Sequence, residues 1–351
     1  MPARVLQPDQ LELAAQLIRE GALVGFPTDT VYGVAAAADV AFGNDKLKAF
    51  KGGRSEGFSL HAGSVDTAIR TAGPLLPAEE FAVRALTPNG ATVVVARKDT
   101  GLGVRVVQHP LGSRLLELAG LPVIATSANE HGQPPLRDPA RIAQMPLDAV
   151  LDGGELPERP ASSVVRLLPS GLEILRMGAA SRDKLAQMFT RPVHFVCLGN
   201  LNRSAFAHRL IEAMQNWLMR QVRDFVPAYA PSSSGLIARA ERRSPPDMQQ
   251  TAMRYNASLA SHTPQVFDPD VLPPLCVSMG DDVVAEVQEF AAGEVLQWQI
   301  DDPMGKPPGV YARAARQVIE AMRRDLLARW AGNTEMQRQF NALFCGEGET
   351  P

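Results

Sequence analysis

Cys197 and Arg203 stand six positions apart in the stretch VHFVCLGNLNRSAFA, residues 193–207. A thiolate can attack phosphorus, and a guanidinium can hold two phosphoryl oxygens at once. The two side chains reach one pocket only if the residues between them wrap as a loop with N–H groups turned inward, a geometry that binds an anion. Gly199 and Asn200 tolerate the backbone angles of such a loop. His194 to Val196 read as a buried strand entering it, and Ser204 opens a helical run carrying Leu210, Ile211, Met214 and Leu218. The positive end of that helix faces the loop, which favours both a thiolate and a bound phosphate. Ser204 is also placed to donate a hydrogen bond to the sulfur.

The other cysteines set limits on the chemistry. Cys197, Cys276 and Cys345 are odd in number and widely spaced, which describes neither a disulfide framework nor a zinc site. Cys276 sits in the apolar run Leu275 to Val277 and is expected in a core, whereas Cys345 lies near a polar, glycine-containing tail. The six histidines show no metal-ligand spacing, so no metal site is expected from them. With 351 residues and 45% hydrophobic content, the chain is long enough for two ordinary globular domains. The net charge of −3 is spread evenly, −2 over residues 1–180 and −1 over the rest. Bulk charge therefore gives no reason to expect nonspecific affinity for nucleic acid or membrane. No signal-peptide pattern and no apolar run of about 18 residues is present, so the expected location is cytoplasmic.

The first half is built differently. Leu11 to Glu20 reads as a helix and Gly21 to Phe26 as a short buried strand running into Pro27-Thr28-Asp29-Thr30-Val31-Tyr32-Gly33. Strands at Ala91 to Ala96 and Val123 to Ala125 alternate with helices near Asp66 to Ile69, Glu79 to Ala85 and Gly112 to Leu118, the grammar of an α/β sheet domain. A turn at Pro169 to Gly171 precedes a last strand at Ile174-Leu175. A helical connector over 181–191 and a final helix from Val310 to Trp330 complete the pattern. The expected domains are 1–180, the connector 181–191, a second domain 192–335 and a tail 336–351.

The loop at Cys197 resembles that of the low-molecular-weight protein tyrosine phosphatases, whose signature is Cys, five residues, Arg, then Ser or Thr. Ser233-Ser234-Gly235, Ser261-His262 and Asp302-Pro303 resemble later segments of that family, covering most of residues 190–330. The resemblance implies a doubly wound parallel-sheet domain with no cofactor. It makes Cys197 the nucleophile, Arg203 the phosphoryl clamp and Asp302 the proton donor, with Leu198, Gly199, Asn200, Leu201, Asn202 and Ser204 forming the phosphate loop. Asn202 stands where many members have a second cysteine, and Met304 where many have an aromatic residue. The implied substrate is a phosphorylated protein or a small phosphate ester.

Residues 8–180 resemble a second family, the YrdC-type threonylcarbamoyl-adenylate synthases. The resemblance is carried by residues 27–33, Lys51 with Arg54, Pro88 through Thr92, Gly103-Val104-Arg105, His109-Pro110, Thr126-Ser127-Ala128-Asn129, Gly132 with Pro134, Ser162 to Val165 and Ile174-Leu175-Arg176, in that order. It implies a YrdC-like α/β domain that joins L-threonine, bicarbonate and ATP into threonylcarbamoyl-AMP, with Mg²⁺ absorbing phosphate charge. Lys51, Arg54, Ser127 and Asn129 are assigned by it to the nucleotide phosphates, with Arg105, Ser163 and Arg176 in the same cleft. Thr28, Thr30 and Tyr32 are assigned to threonine. The stretch Lys51-Gly52-Gly53-Arg54-Ser55 departs from the family's Lys-x-Arg-Pro by one inserted residue and a missing proline, and Phe58 stands in place of a second cation.

Together the resemblances imply a bifunctional enzyme, with tRNA or tRNA-modification proteins as further partners. The alternative is a phosphatase regulated by a YrdC-like domain that binds nucleotide or RNA without turnover.

Overall fold

A computed structural model of the chain describes residues 2–38, 43–53, 57–97, 100–130, 133–329 and 334–345. Arg54, Ser55, Gly132 and Trp330, which the sequence reading used, lie outside them. The chain divides into two units. The first comprises residues up to Leu167 together with Ile174–Phe189; the second comprises Leu168–Glu173 and the residues from Thr190 onward.

In the first unit the elements run β1 (Arg4–Leu6), α1 (Leu11–Arg19), β2 (Val24–Phe26), β3 (Gly33–Ala37), α2 (Gly43–Phe50), β4 (Ser59–Ala62), α3 (Val65–Ala72) and α4 (Pro77–Leu86). They continue with β5 (Ala91–Arg97), β6 (Thr100–Val106), α5 (Pro110–Ala119), β7 (Val123–Ser127), α6 (Pro139–Ile142), β8 (Ala149–Leu151) and β9 (Ser163–Leu168). The strands form a mixed sheet in the order β1-β8-β2-β3-β7-β4-β6-β5-β9. Alternation along the strands supplies a core on each face. Ala35, Ala37, Ala149 and Leu151 point to one side with Ile18, Phe26 and Leu115, whereas Val34, Ala36 and Val150 point to the other with Tyr32, Leu47 and Ile142. Helix α1 packs through the stripe Ala14, Ala15 and Ile18.

After β10 (Gly171–Arg176) and α7 (Arg182–Phe189), the second unit runs β11 (Arg191–Cys197), α8 (Arg203–Gln221), β12 (Phe225–Pro227), β13 (Tyr229–Gly235), α9 (Pro246–Met253) and β14 (Leu275–Met279). It closes with α10 (Asp281–Phe290), β15 (Glu294–Trp298), α11 (Pro308–Asp325) and α12 (Thr334–Phe344). Strands β13-β11-β14-β15 form a sheet whose neighbours are all parallel. Numbered along the chain this order is 2-1-3-4, the doubly wound arrangement in which ligands bind beyond the carboxyl ends of the strands where the winding reverses. Cys197 ends β11 and Met279 ends β14 at that place.

Three stretches differ from the sequence reading. The connector expected over 181–191 is helical, as read, but its helix α7 buries Phe189 beside Phe81 with ring centroids 6.3 Å apart, so it packs on the first unit. Arg191 and Pro192 already belong to β11. The expected tail 336–351 contains most of α12, which folds because Phe340 and Phe344 bury themselves around Trp217, at centroid distances of 5.9 and 6.2 Å. The final helix expected from Val310 to Trp330 is α11, ending at Asp325, and it is amphipathic, burying Tyr311, Ala315, Val318 and Met322.

Candidate functional site

In the second unit the loop from Cys197 to Arg203 is held from several sides. Cys197 Sγ lies 3.0 Å from Ser204 Oγ. Ser204 Oγ accepts from Asn200 Nδ2 at 2.8 Å, which leaves its own proton for the sulfur or for the Ser234 carbonyl at 3.3 Å. Asn200 adopts φ +50°, an uncommon conformation for a residue other than glycine. Two groups hold it there: His262 Nε2 donates to its carbonyl at 2.8 Å, and its Oδ1 accepts from the Gln265 N–H at 2.9 Å. Gly235 completes the support, because a Cβ there would stand 2.6 Å from the Asn200 nitrogen. Leu201 and Asn202 are buried, and Asn202 Oδ1 has no hydrogen-bond partner among the described residues.

Arg203 begins α8 and is only 4% exposed. Its Nη1 donates to the Met279 carbonyl at 2.6 Å, and its Nη2 reaches Asp282 at 3.2 Å and Asp302 at 3.1 Å. Burial opposes the charge on this guanidinium, but Cys197, Asp282 and Asp302 outweigh it and hold its pKa above the ordinary value. Beneath the loop, His194 on β11 lies 2.7 Å from both Ser232 Oγ and Ser234 Oγ, and burial with the neighbouring His208 lowers its pKa to about 4. The structure thus brings Cys197, Arg203, Ser204, Asn200 and Asp302 into one site. Asp282, which sequence reasoning missed, shares the Arg203 guanidinium with Asp302; its signal was Gly280-Asp281-Asp282 directly after an apolar strand. Cys276 is buried on β14, as its apolar neighbours led one to expect, and burial raises its pKa.

In the first unit Lys51 follows α2 and is 4% exposed, with Nζ 2.7 Å from both the backbone oxygen and Oδ1 of Asn129. Ser127 Oγ donates to the same Oδ1 at 2.5 Å. Asn129 Nδ2 in turn ties down the loop after β7 by donating to the carbonyls of Glu130 and Gln133. An ammonium, a hydroxyl and an amide therefore meet at the carboxyl end of β7.

A family model described as telomere recombination matches residues 16–178. The threonylcarbamoyl-AMP synthase of Chromohalobacter salexigens is 32% identical over 184 residues, which are 48% of this chain and 97% of that protein. The chain belongs to the threonylcarbamoyl-AMP synthase family. It spans 58% and 57% of the length of the family members from Bacillus subtilis and Pyrococcus abyssi, each 27% identical to it. A solved structure of Pyrococcus abyssi Sua5 shares the fold at 17% identity and a TM-score of 0.50, covering 85% of this chain and 99% of its own. The Erwinia amylovora tyrosine phosphatase amsI is 20% identical over 40% of this chain and 94% of its own, with a TM-score of 0.34.

Several residues that the sequence reading assigned to ligands in the first unit are engaged within the chain itself. Arg105 is 2% exposed; it pairs with Asp29 at 2.5 Å and donates to the carbonyls of Thr87 and Ala91. Burial lowers its pKa against the opposing pull of Asp29. Ser163 Oγ donates to the Ala180 carbonyl and accepts from the N–H groups of Gly178 and Ala180. Arg176 donates to the Ser162 carbonyl. Thr28 Oγ1 closes a turn by accepting from the N–H groups of Thr30 and Val31, and Thr30 Oγ1 lies 3.2 Å from it. Tyr32 Oη donates to the Gly154 carbonyl and accepts from the Gly153 N–H, and burial raises its pKa to about 12. Asp29, which the sequence reading did not single out, positions Arg105 and also accepts from the Gln108 N–H at 3.0 Å.

The Mg²⁺ that the synthase reading implies finds a poor donor set beside Lys51. The Asn129 amide oxygen is committed to Lys51 and Ser127, and among the described residues no group of three or more His, Cys, Asp or Glu side chains could hold a metal ion. No step is routed through the metal. Among the described residues no helix is long and apolar enough to cross a membrane.

Proposed function

We propose that the first half forms threonylcarbamoyl-AMP, the activated intermediate for a tRNA adenosine modification, from L-threonine, bicarbonate and ATP with release of pyrophosphate and water, and that the second half hydrolyses phosphate monoesters through a phosphocysteine. The synthase reading rests on the match over residues 16–178. The hydrogen-bonded group of Lys51, Ser127 and Asn129 supports it by placing a cation and a hydroxyl, both held on Asn129, where phosphate oxygens can take them. Lys51 must then exchange the Asn129 oxygens for those of ATP. Threonine-dependent pyrophosphate release tests this, measured on Cys197→Ser protein so that the second site cannot alter the readout. Turnover is expected, and its loss in Lys51→Ala assigns it to this site.

The hydrolase reading rests on the approach of Cys197 to Ser204 and of Arg203 to Asp302. The Cys197 thiolate attacks phosphorus while Arg203 holds the equatorial oxygens, and the P–O bond to the leaving group breaks as Asp302 gives that oxygen a proton. Water then attacks the phosphocysteine, Asp302 takes its proton, and the S–P bond breaks to return the thiolate. Hydrolysis of p-nitrophenyl phosphate by the full chain, abolished in Cys197→Ser, is the expected result.

One observation favours a second reading in which the first half binds nucleotide or RNA without turnover and regulates the second: Lys51 is already buried against Asn129. ATP binding without pyrophosphate release would support it.

A further inference from the structure

The chain leaving β13 passes directly over the rim of the Cys197 loop. The Leu236 N–H donates to the Cys197 carbonyl at 3.3 Å and the Ile237 N–H to the Leu198 carbonyl at 2.9 Å. Immediately beyond come Arg239, Arg242 and Arg243, all exposed. No more than about 7 Å of backbone separates Ile237 from Arg239. Arg243 Nη1 donates only to the carbonyls of Ala240 and Arg242. Among the described residues none of the three meets a carboxylate. Arg203 and Arg209, in the same unit, both do. In a chain of net charge −3, the stretch 239–243 sets three arginines against the single carboxylate of Glu241, a local excess of positive charge beside an anion cradle.

Resting on the hydrolase reading, we infer that Arg239, Arg242 and Arg243 select phosphorylated peptides that carry acidic residues next to the phosphorylated side chain. The guanidiniums lie on the outside of a loop, not in a concavity of the kind that encloses a small molecule. Exposed Ile237, at 63%, and Met304, at 37% on the turn that Asp302 caps, add apolar contact suited to an extended chain. A polynucleotide would satisfy the loop's charge but would bring Cys197 a monoester only at its terminus.

The test compares two phosphotyrosine peptides, one flanked by Glu and Asp and one by Gln and Asn, with p-nitrophenyl phosphate as a substrate that cannot touch the loop. For the full-length protein we expect kcat/KM about tenfold higher for the acidic peptide, carried by KM and fading as salt is raised from low to about 0.5 M. The triple variant Arg239→Gln/Arg242→Gln/Arg243→Gln should lose that preference while its p-nitrophenyl phosphate kinetics stay within about twofold; Arg242→Gln alone should show part of the loss. Equal kcat/KM for the two peptides, or a preference that survives in the triple variant, overturns the inference and leaves the hydrolase reading standing. Inhibition by a single-stranded RNA oligomer without any acidic-peptide advantage also overturns it, assigning the loop to a polynucleotide. Failure of the full-length protein to hydrolyse p-nitrophenyl phosphate overturns the hydrolase reading and this inference with it.

Discussion

Arg203 shows how tightly a single side chain can be fixed before any ligand arrives. Its neighbour Gly280 has φ +106°, and a Cβ there would lie 2.4 Å from Arg203 Nη1 and 2.5 Å from Asp282 Oδ1. Only glycine leaves the guanidinium where it is. If the second half hydrolyses phosphate esters as proposed, Gly280→Ala should lower kcat/KM for p-nitrophenyl phosphate about a hundredfold, the effect of displacing a catalytic group by roughly 1 Å, with the far-ultraviolet circular dichroism unchanged. Gly309→Ala, where the added carbon meets nothing within 4 Å, serves as the control. Residue types told where charge and nucleophile stand in the sequence, and Cys197, Ser204, Arg203 and Asp302 do converge. They could not tell whether a polar side chain already has a partner. Arg105 and Ser163 carry chemistry suited to a ligand and are engaged with Asp29 and backbone groups that come from distant segments, which spacing along the chain does not reveal.

At the scale of elements, β11 is both the strand that delivers Cys197 and the strand that carries His194 against the serines of β13. His194 is held near pKa 4, so it stays neutral in the folded protein while the unfolded chain takes up a proton near its ordinary 6.5. Its contribution to stability is complete above about pH 6.5 and is lost as pH falls toward 4. Thermal unfolding followed from pH 7 to pH 4.5 should show the midpoint falling, and His194→Gln should flatten that dependence. His61, pushed down to about 4 by burial in the first unit, acts in the same direction, so the slope should shrink and not vanish. Most elements were legible from periodicity, as with α1, whose expected span Leu11 to Glu20 ends one residue beyond the observed helix. Helix α12 was not, since the reason it folds is Trp217, far earlier in the chain.

For the molecule as a whole, the division into units does not follow the chain in one cut. Leu168–Glu173 belongs with the second unit, where residues 171–173 pair antiparallel with 225–227. The Ser170 carbonyl accepts from the Ala228 N–H at 3.0 Å and the Pro169 carbonyl from the Ala328 N–H at 3.3 Å. A sequence reading sees a turn at Pro169 to Gly171 but has no means of knowing which unit it serves. A fragment starting at residue 192 loses these bonds and leaves Phe225 and Val226 uncovered. Its unfolding midpoint should lie several degrees below that of the same unit in the full chain, measured by calorimetry. The aromatic clasp of α12 gives the protein a built-in optical gauge. Trp217 is ringed by Phe340 and Phe344, while Trp298 is only 1% exposed elsewhere in the same unit. In a Trp330→Phe background, Phe344→Ser should shift the indole emission toward the red while part of it stays blue. Unpeeling of the last helix can then be watched by fluorescence without attaching any label.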